Sequence, residues 1–221
     1  MKNRNTAKLL RTLEPLYPAK GMVDMGNPED TLIATLLSAR TTDVQVLKVY
    51  PGLRKQFPTL GDLASARVEA IAKAISSIGL YQNKAKAIKA LAQMLLDKHA
   101  GQVPNRLEDL IELPGVGRKT ASCVLWYGFG IPAMAVDTHV FRITHRLGWV
   151  KGKTAEQVEQ ELMKIVPRPL WGTLNRLFVQ FGRDVCKPIT PQCWRCPVRE
   201  MCGYKCKTMK LRSSPPPARR G

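Results

Sequence analysis

From residue 29 to residue 183 the chain repeats one pattern: apolar residues at helical spacing, interrupted by short breaks. Residues 29 to 48 place Leu32, Ile33, Leu36, Leu37, Val44 and Leu47 on one helical face. The same spacing recurs over 66–77, 82–99, 106–112, 118–127, 137–147, 154–166 and 170–183, and the breaks include "FPTLGD", "SIGLY" and "GQVPN". No stretch alternates long enough to make a strand. A chain of this kind has to bury many short amphipathic helices against one another, so the expected fold class is all-α.

One break carries more information than the others. In "LPGVGRKTA" Leu113 closes a helix, Pro114 fixes φ, and Gly115 and Gly117 are expected to adopt angles that other residues resist. Arg118 and Lys119 then open the next helix, at the end where the dipole is positive and cations are unfavourable. A phosphate resting on the unpaired amides of that first turn would offset the cost, and the glycines would let a nucleic-acid backbone come close. "GVGRKT" differs from a P-loop, because Arg118 replaces the glycine before the lysine and no strand precedes it. A lysine beside another cation at a helix start should also lose its proton readily, and a neutral amine can form a Schiff base.

Charge points to the same partner. Thirty-five basic residues against 17 acidic ones give a net charge of +18, which attracts polyanions, most often nucleic acid. The uncharged stretch from Ala121 to Val136 is broken by Gly128, Gly130 and Pro132, and it is shorter than the roughly 20 apolar residues of a spanning helix. The start "MKNRNTAKLL" lacks the apolar core of a secretory signal. The expectation is an intracellular protein with no membrane partner, located with DNA (cytoplasm or nucleoid in a bacterium).

Of six cysteines, Cys186, Cys193, Cys196 and Cys202 fall within 17 residues, spaced C-x6-C-x2-C-x5-C. In an intracellular chain such clustering favours a metal site over disulfides. Four thiolates at this spacing suit zinc or a [4Fe-4S] cluster alike. Cys206 is spare, and Cys123, inside an apolar helix, reads as a core residue.

Asp137, in "AVDTHVF", follows a hydrophobic run. It suits a helix N-cap, and equally a carboxylate held near a reacting sugar. "LPGVGRKTA" followed by "VDTH", with the aspartate 18 residues after Lys119, resembles the helix-hairpin-helix, Gly-Pro-Asp superfamily of DNA glycosylases. "LLSARTTD", "IGLYQNKA", "FGRDVC" and the four cysteines make the chain similar to the endonuclease III group over roughly residues 5 to 206.

The resemblance implies a bifunctional DNA glycosylase and apurinic/apyrimidinic-site lyase of base-excision repair, monomeric, acting on oxidised pyrimidines in double-stranded DNA with damaged bases or abasic sites. Lys119 would be the nucleophile and Asp137 the catalytic carboxylate. One [4Fe-4S] cluster would sit on Cys186, Cys193, Cys196 and Cys202. Two helical lobes would flank a DNA cleft: a six-helix domain over 22–131, and a cluster domain built from 1–21 with 132–206, followed by a basic disordered tail over 207–221. DNA contacts would come from Gly115, Gly117, Arg118, Lys187, Arg40 and Leu80, the last as a wedge into the opposite strand. Arg40 stands where many relatives carry glutamine, and the loop "KPITPQ" holds Lys187 as its one cation. The alternatives are a mismatch or adenine glycosylase of the same fold, against which Lys119 speaks, and a non-catalytic DNA-binding relative.

Overall fold

A computed structural model describes residues 2–18 and 24–209. The described residues hold helices and no strand. The order is α1 (Lys2–Leu13), α2 (Pro28–Ser38), α3 (Asp43–Gln56), α4 (Leu60–Ser65), α5 (Val68–Ala74), α6 (Tyr81–His99), α7 (Leu107–Ile111), α8 (Arg118–Phe129), α9 (Thr138–Leu147), α10 (Ala155–Ile165) and α11 (Trp171–Asp184). Short 3-10 turns follow α1 (Glu14–Leu16), precede α11 (Arg168–Leu170) and lie beyond it (Cys193–Arg195 and Arg199–Met201).

Side-chain caps begin α2, α3, α4, α9 and α10. Asn27 Oδ1 accepts the Asp30 amide at 2.8 Å to begin α2. Thr42 accepts from Gln45 to begin α3, and Thr154 with Gln157 forms a reciprocal capping box at α10. Two breaks differ from the sequence expectation. The pattern over 29–48 is two helices, because Arg40 turns the chain in a left-handed conformation (φ 57°) and Thr42 starts a new helix. "FPTLGD", read as a break, contains the capping box Thr59–Asp62 that begins α4.

The helices enclose two cores. Leu32, Ile33, Leu36 and Leu37 of α2 pack with Ile88 and Leu91 of α6 and Val124 of α8. Leu9, Leu10 and Leu13 of α1 pack instead with Val140 and Ile143 of α9, Leu162 of α10 and Phe178 of α11. Burying each such side chain stabilises the fold by about 1.5–3 kcal/mol before the cost of ordering it. The chain therefore begins in the second lobe, builds the first, and returns. Ala133 belongs to the first core and Met134 to the second. The boundary expected at residue 22 and most of the expected tail lie outside the described residues.

α1 is held in its lobe by long-range bonds. Thr6 Oγ1 donates to the Ile165 carbonyl at 3.0 Å, and Arg176 Nη1 donates to the Tyr17 carbonyl at 2.6 Å. α8 touches both lobes: its core face lies in the first, while Trp126 packs closely against Gly172 of α11 in the second. None of the described helices is long and apolar enough to cross a membrane.

Candidate active site at the lobe junction

The turn between α7 and α8 is shaped by Gly115. Its φ is +77°, and a Cβ there would come within 3.0 Å of Ala87 and 3.2 Å of Leu36. Gly115 is required both by conformation and by close packing. Gly117 differs from the expectation: its φ of −93° is open to any residue, and nothing lies within 4 Å of a Cβ added there. Its contribution is an open surface at the start of α8, with no side-chain cap over the first turn.

The two cations that follow have separate environments. Arg118 makes a forked bond to Glu159 of α10, Nη2 to Oε1 at 2.7 Å and Nε to Oε2 at 3.1 Å. A protein carboxylate thus balances the cation that stands at the positive end of α8. Lys119 reaches solvent yet is walled by protein on most sides. Cys123, one helical turn further along α8, then Asp137 and Asp43, hold the Lys119 amine above its ordinary value, and burial pulls the other way. The expectation of a readily deprotonated lysine is therefore corrected. Arg118 is neutralised by Glu159, and the groups around Lys119 favour its ammonium form.

Asp137 is the N-cap of α9. Its Oδ1 accepts the amides of His139 at 2.9 Å and Val140 at 2.8 Å. Oδ2 has no hydrogen bond among the described residues, which leaves it for the lysine or a ligand. Lys119 comes from the first lobe and Asp137 from the second, and each lies within the other's electrostatic reach.

Arg40 and Leu80 occupy neighbouring turns of the first lobe. Both are left-handed (φ 57° and 60°), an uncommon conformation for non-glycine residues. A Cβ on Gly79 would lie 3.8 Å from the Arg40 carbonyl, and Gln45 Nε2 donates to Ser77 Oγ at 2.9 Å, tying the two turns together. Both side chains are exposed, and Leu80 is not a buried helix end.

The four cysteines lie elsewhere. Cys186, Cys193, Cys196 and Cys202 line a single cavity with Ile143, Leu147, Phe181 and Val198, and Cys206 is exposed outside it. Burial pushes the Cys196 thiol up to about 11. Arg146 donates to Cys186 Sγ at 3.3 Å and to the Lys187 carbonyl at 2.7 Å. Lys187 sits in this cysteine loop, and α9 spans the distance between the cavity and Asp137.

Residues 33–168 match the family model described as HhH-GPD superfamily base excision DNA repair protein. This chain belongs to the HhH-GPD superfamily. It is similar to endonuclease III of Thermotoga maritima, with 46% identity over 178 residues, covering 80% of this chain and 84% of that protein. Among solved structures it matches a non-covalent endonuclease III–DNA complex (TM-score 0.83, 40% identity, 91% and 95% of the two chains). It also matches a trapped endonuclease III–DNA covalent intermediate, an estranged-adenine complex (TM-score 0.76, 44% identity, 80% and 84%).

Within this HhH-GPD chain, the sequence carries no sign that Asp43 and Glu159 belong to the surroundings of Lys119, and it marks Cys123 only as a core residue. Asp43 opens α3, and burial holds its carboxyl above the ordinary value against Arg183 and Lys119. Its only sequence signal is its place in "RTTD", where it reads as an acidic first turn. Cys123 is buried as expected of a core residue, but its thiol, which burial pushes up, also adjoins Lys119. Glu159 carries no signal without Arg118, 41 positions away.

Proposed function

We propose that this chain is a bifunctional DNA glycosylase and abasic-site lyase of base-excision repair that removes oxidised pyrimidines from duplex DNA inside the cell. The observation that carries the reading is the meeting of Lys119 and Asp137 from opposite lobes, beside a glycine hairpin whose helix start is open.

The chemistry follows from the groups present. The target nucleotide must leave the stack for its C1′ to reach Lys119, and a damaged base makes that extrusion less costly, by up to a few kcal/mol. Lys119 favours its ammonium form, so attack requires a proton acceptor, and the free Oδ2 of Asp137 supplies one. The amine forms a bond to C1′, the bond from C1′ to the base breaks, and the base departs with that electron pair. The Asp137 carboxylate stabilises positive charge developing on the sugar. Ring opening leaves a Schiff base between Lys119 and C1′. This acidifies the C2′ hydrogen, whose loss expels the 3′ phosphate and cuts the strand.

Phosphate contacts are assigned to the amides at Gly115 and Gly117, with Lys187 on the cysteine loop. Arg40 and Leu80 share one surface, which suits a plug for the vacated site and a wedge into the opposite strand. Arg118 keeps a partial role at most, because its guanidinium is already paired.

The four cysteines fit one [4Fe-4S] cluster. Among the described residues, no three His, Cys, Asp or Glu side chains converge tightly enough for a single metal ion. The four thiols line one apolar cavity, a donor set that suits such a cluster. Such a cluster would stabilise the fold of the loop from 186 to 202 and neutralise buried thiolates. Purified protein should then be yellow-brown with about four irons per chain. Colourless protein with stoichiometric zinc would contradict the assignment.

Single-turnover assays on duplex DNA containing thymine glycol test the enzymatic reading. Base release and strand cleavage should appear together in the wild type, and Lys119→Gln should lose strand cleavage while still binding DNA. Base release without strand cleavage by the wild type would mark a simple glycosylase instead.

A further inference from the structure

Glu159 is buried, with 9% of its side chain exposed, between Val158 and Leu162 in the apolar second lobe. A carboxylate in such a place is costly unless paired. Among the described residues its hydrogen-bond partner is Arg118, which comes from the other lobe and meets it through both arms of a fork. A two-point contact of this kind fixes orientation as well as distance. It falls on the first residue of α8, where Gly117 supplies no cap, and Lys119 is the next residue. At the far end of α8, Trp126 is seated on Gly172. The helix that carries Lys119 is thereby tied to the lobe that carries Asp137 at both ends.

We propose that Glu159 is a positioning residue for Lys119: paired with Arg118 across the lobe junction, it fixes the first turn of α8 and so the reach of Lys119 toward Asp137. This rests on Lys119 being the nucleophile. Lysine is long and flexible, so a small tilt of the helix start is magnified at Nζ, and a displacement near 1 Å can cost roughly a hundredfold in rate. Arg118 is thus committed to the fold, although its position in the hairpin would suit a phosphate. The other acidic groups near it, Glu156 and Glu108, contribute by charge alone and do not share the fork.

The test is a cycle of Arg118→Gln, Glu159→Gln and the double variant in the full chain. The rate of borohydride trapping on saturating abasic-site duplex is read beside the Kd for a duplex carrying a reduced, unreactive abasic site. Each single variant and the double should lose trapping rate by one common factor, about tenfold, with Kd changed by less than about twofold. A common factor arises because both side chains act through one contact. Losses that multiply in the double variant, a weakened Kd with the rate intact, or unchanged rates would each overturn the proposal. A wild type that is never trapped would instead remove the lysine mechanism on which it rests. If Glu159→Gln does not fold, Glu159→Asp keeps the charge but withdraws the carboxylate by one methylene. It should then slow trapping in the same way, and a wild-type rate for it would count against the proposal.

Discussion

Trp126 of α8 lies so close to Gly172 of α11 that a Cβ on Gly172 would fall 2.0 Å from Cδ2 of the indole ring. Gly172 is there because the Trp126 ring occupies the space that a Cβ would need. Gly172→Ala should destabilise the protein by about 1–3 kcal/mol, because the lobes must part to admit the methyl group. Urea unfolding of the variant and the wild type measures this, and equal midpoints would mean that the ring swings aside freely. Trapping should slow as well, since the same contact anchors the helix of Lys119.

Cys123 offers a different lever on the lysine. Its sulfur is the largest of the influences that hold the Lys119 amine above its ordinary value. In Cys123→Val that influence is gone, so the neutral amine becomes more abundant at a given pH. The acid limb of the trapping rate should move to lower pH. A pH series of single-turnover trapping reads the shift, and superimposable profiles would make Cys123 a packing residue alone.

Much of the architecture was legible in the sequence, because helical spacing and capping residues are local. Thr154 with Gln157 announces α10, and Asp137 announces α9. Other features depend on the folded chain. The split of 29–48 turns on a left-handed Arg40, which no propensity scale favours. Thr59 and Asp62 form a capping box that Pro58 and Gly61 disguise as a loop. At the site, Lys119, Asp137 and the four cysteines stand out by motif. Asp43 and Glu159 acquire meaning only when distant segments meet, and the proton affinity of Lys119 depends on Cys123, Asp137 and Asp43, which converge on it only in the folded chain.

The end of α11 should respond to acid. The Arg195 guanidinium, bonded to Asp184, holds that carboxyl below its ordinary value; burial opposes this, and the Tyr17 hydroxyl also donates to it at 2.9 Å. A depressed carboxyl stabilises the fold above its unfolded pKa of about 3.9, and that contribution is lost as pH falls through the folded value. Both side chains are nearly half exposed, so solvent screening keeps the effect small. The Tm of Asp184→Asn should lie slightly under the wild type at pH 7, and the gap should close as the pH falls through the depressed folded value. A gap independent of pH would show that the carboxylate charge is not what matters.

Arg40 should act on every duplex alike. An exposed cation beside the Leu80 turn attracts phosphate whatever the base, so Arg40→Gln should weaken binding to intact and damaged DNA together. The slope of log K against log salt should flatten by about one contact. Identical slopes would place Arg40 away from the DNA.

The mechanism stands or falls on which atom joins the DNA. Borohydride reduction in the presence of abasic-site duplex, followed by proteolysis and mass mapping of the adduct, identifies it directly. The lysine mechanism requires the sugar remnant on the peptide that contains Lys119, and loss of that adduct in Lys119→Gln. An adduct on another residue, or none with DNA demonstrably bound, would contradict it.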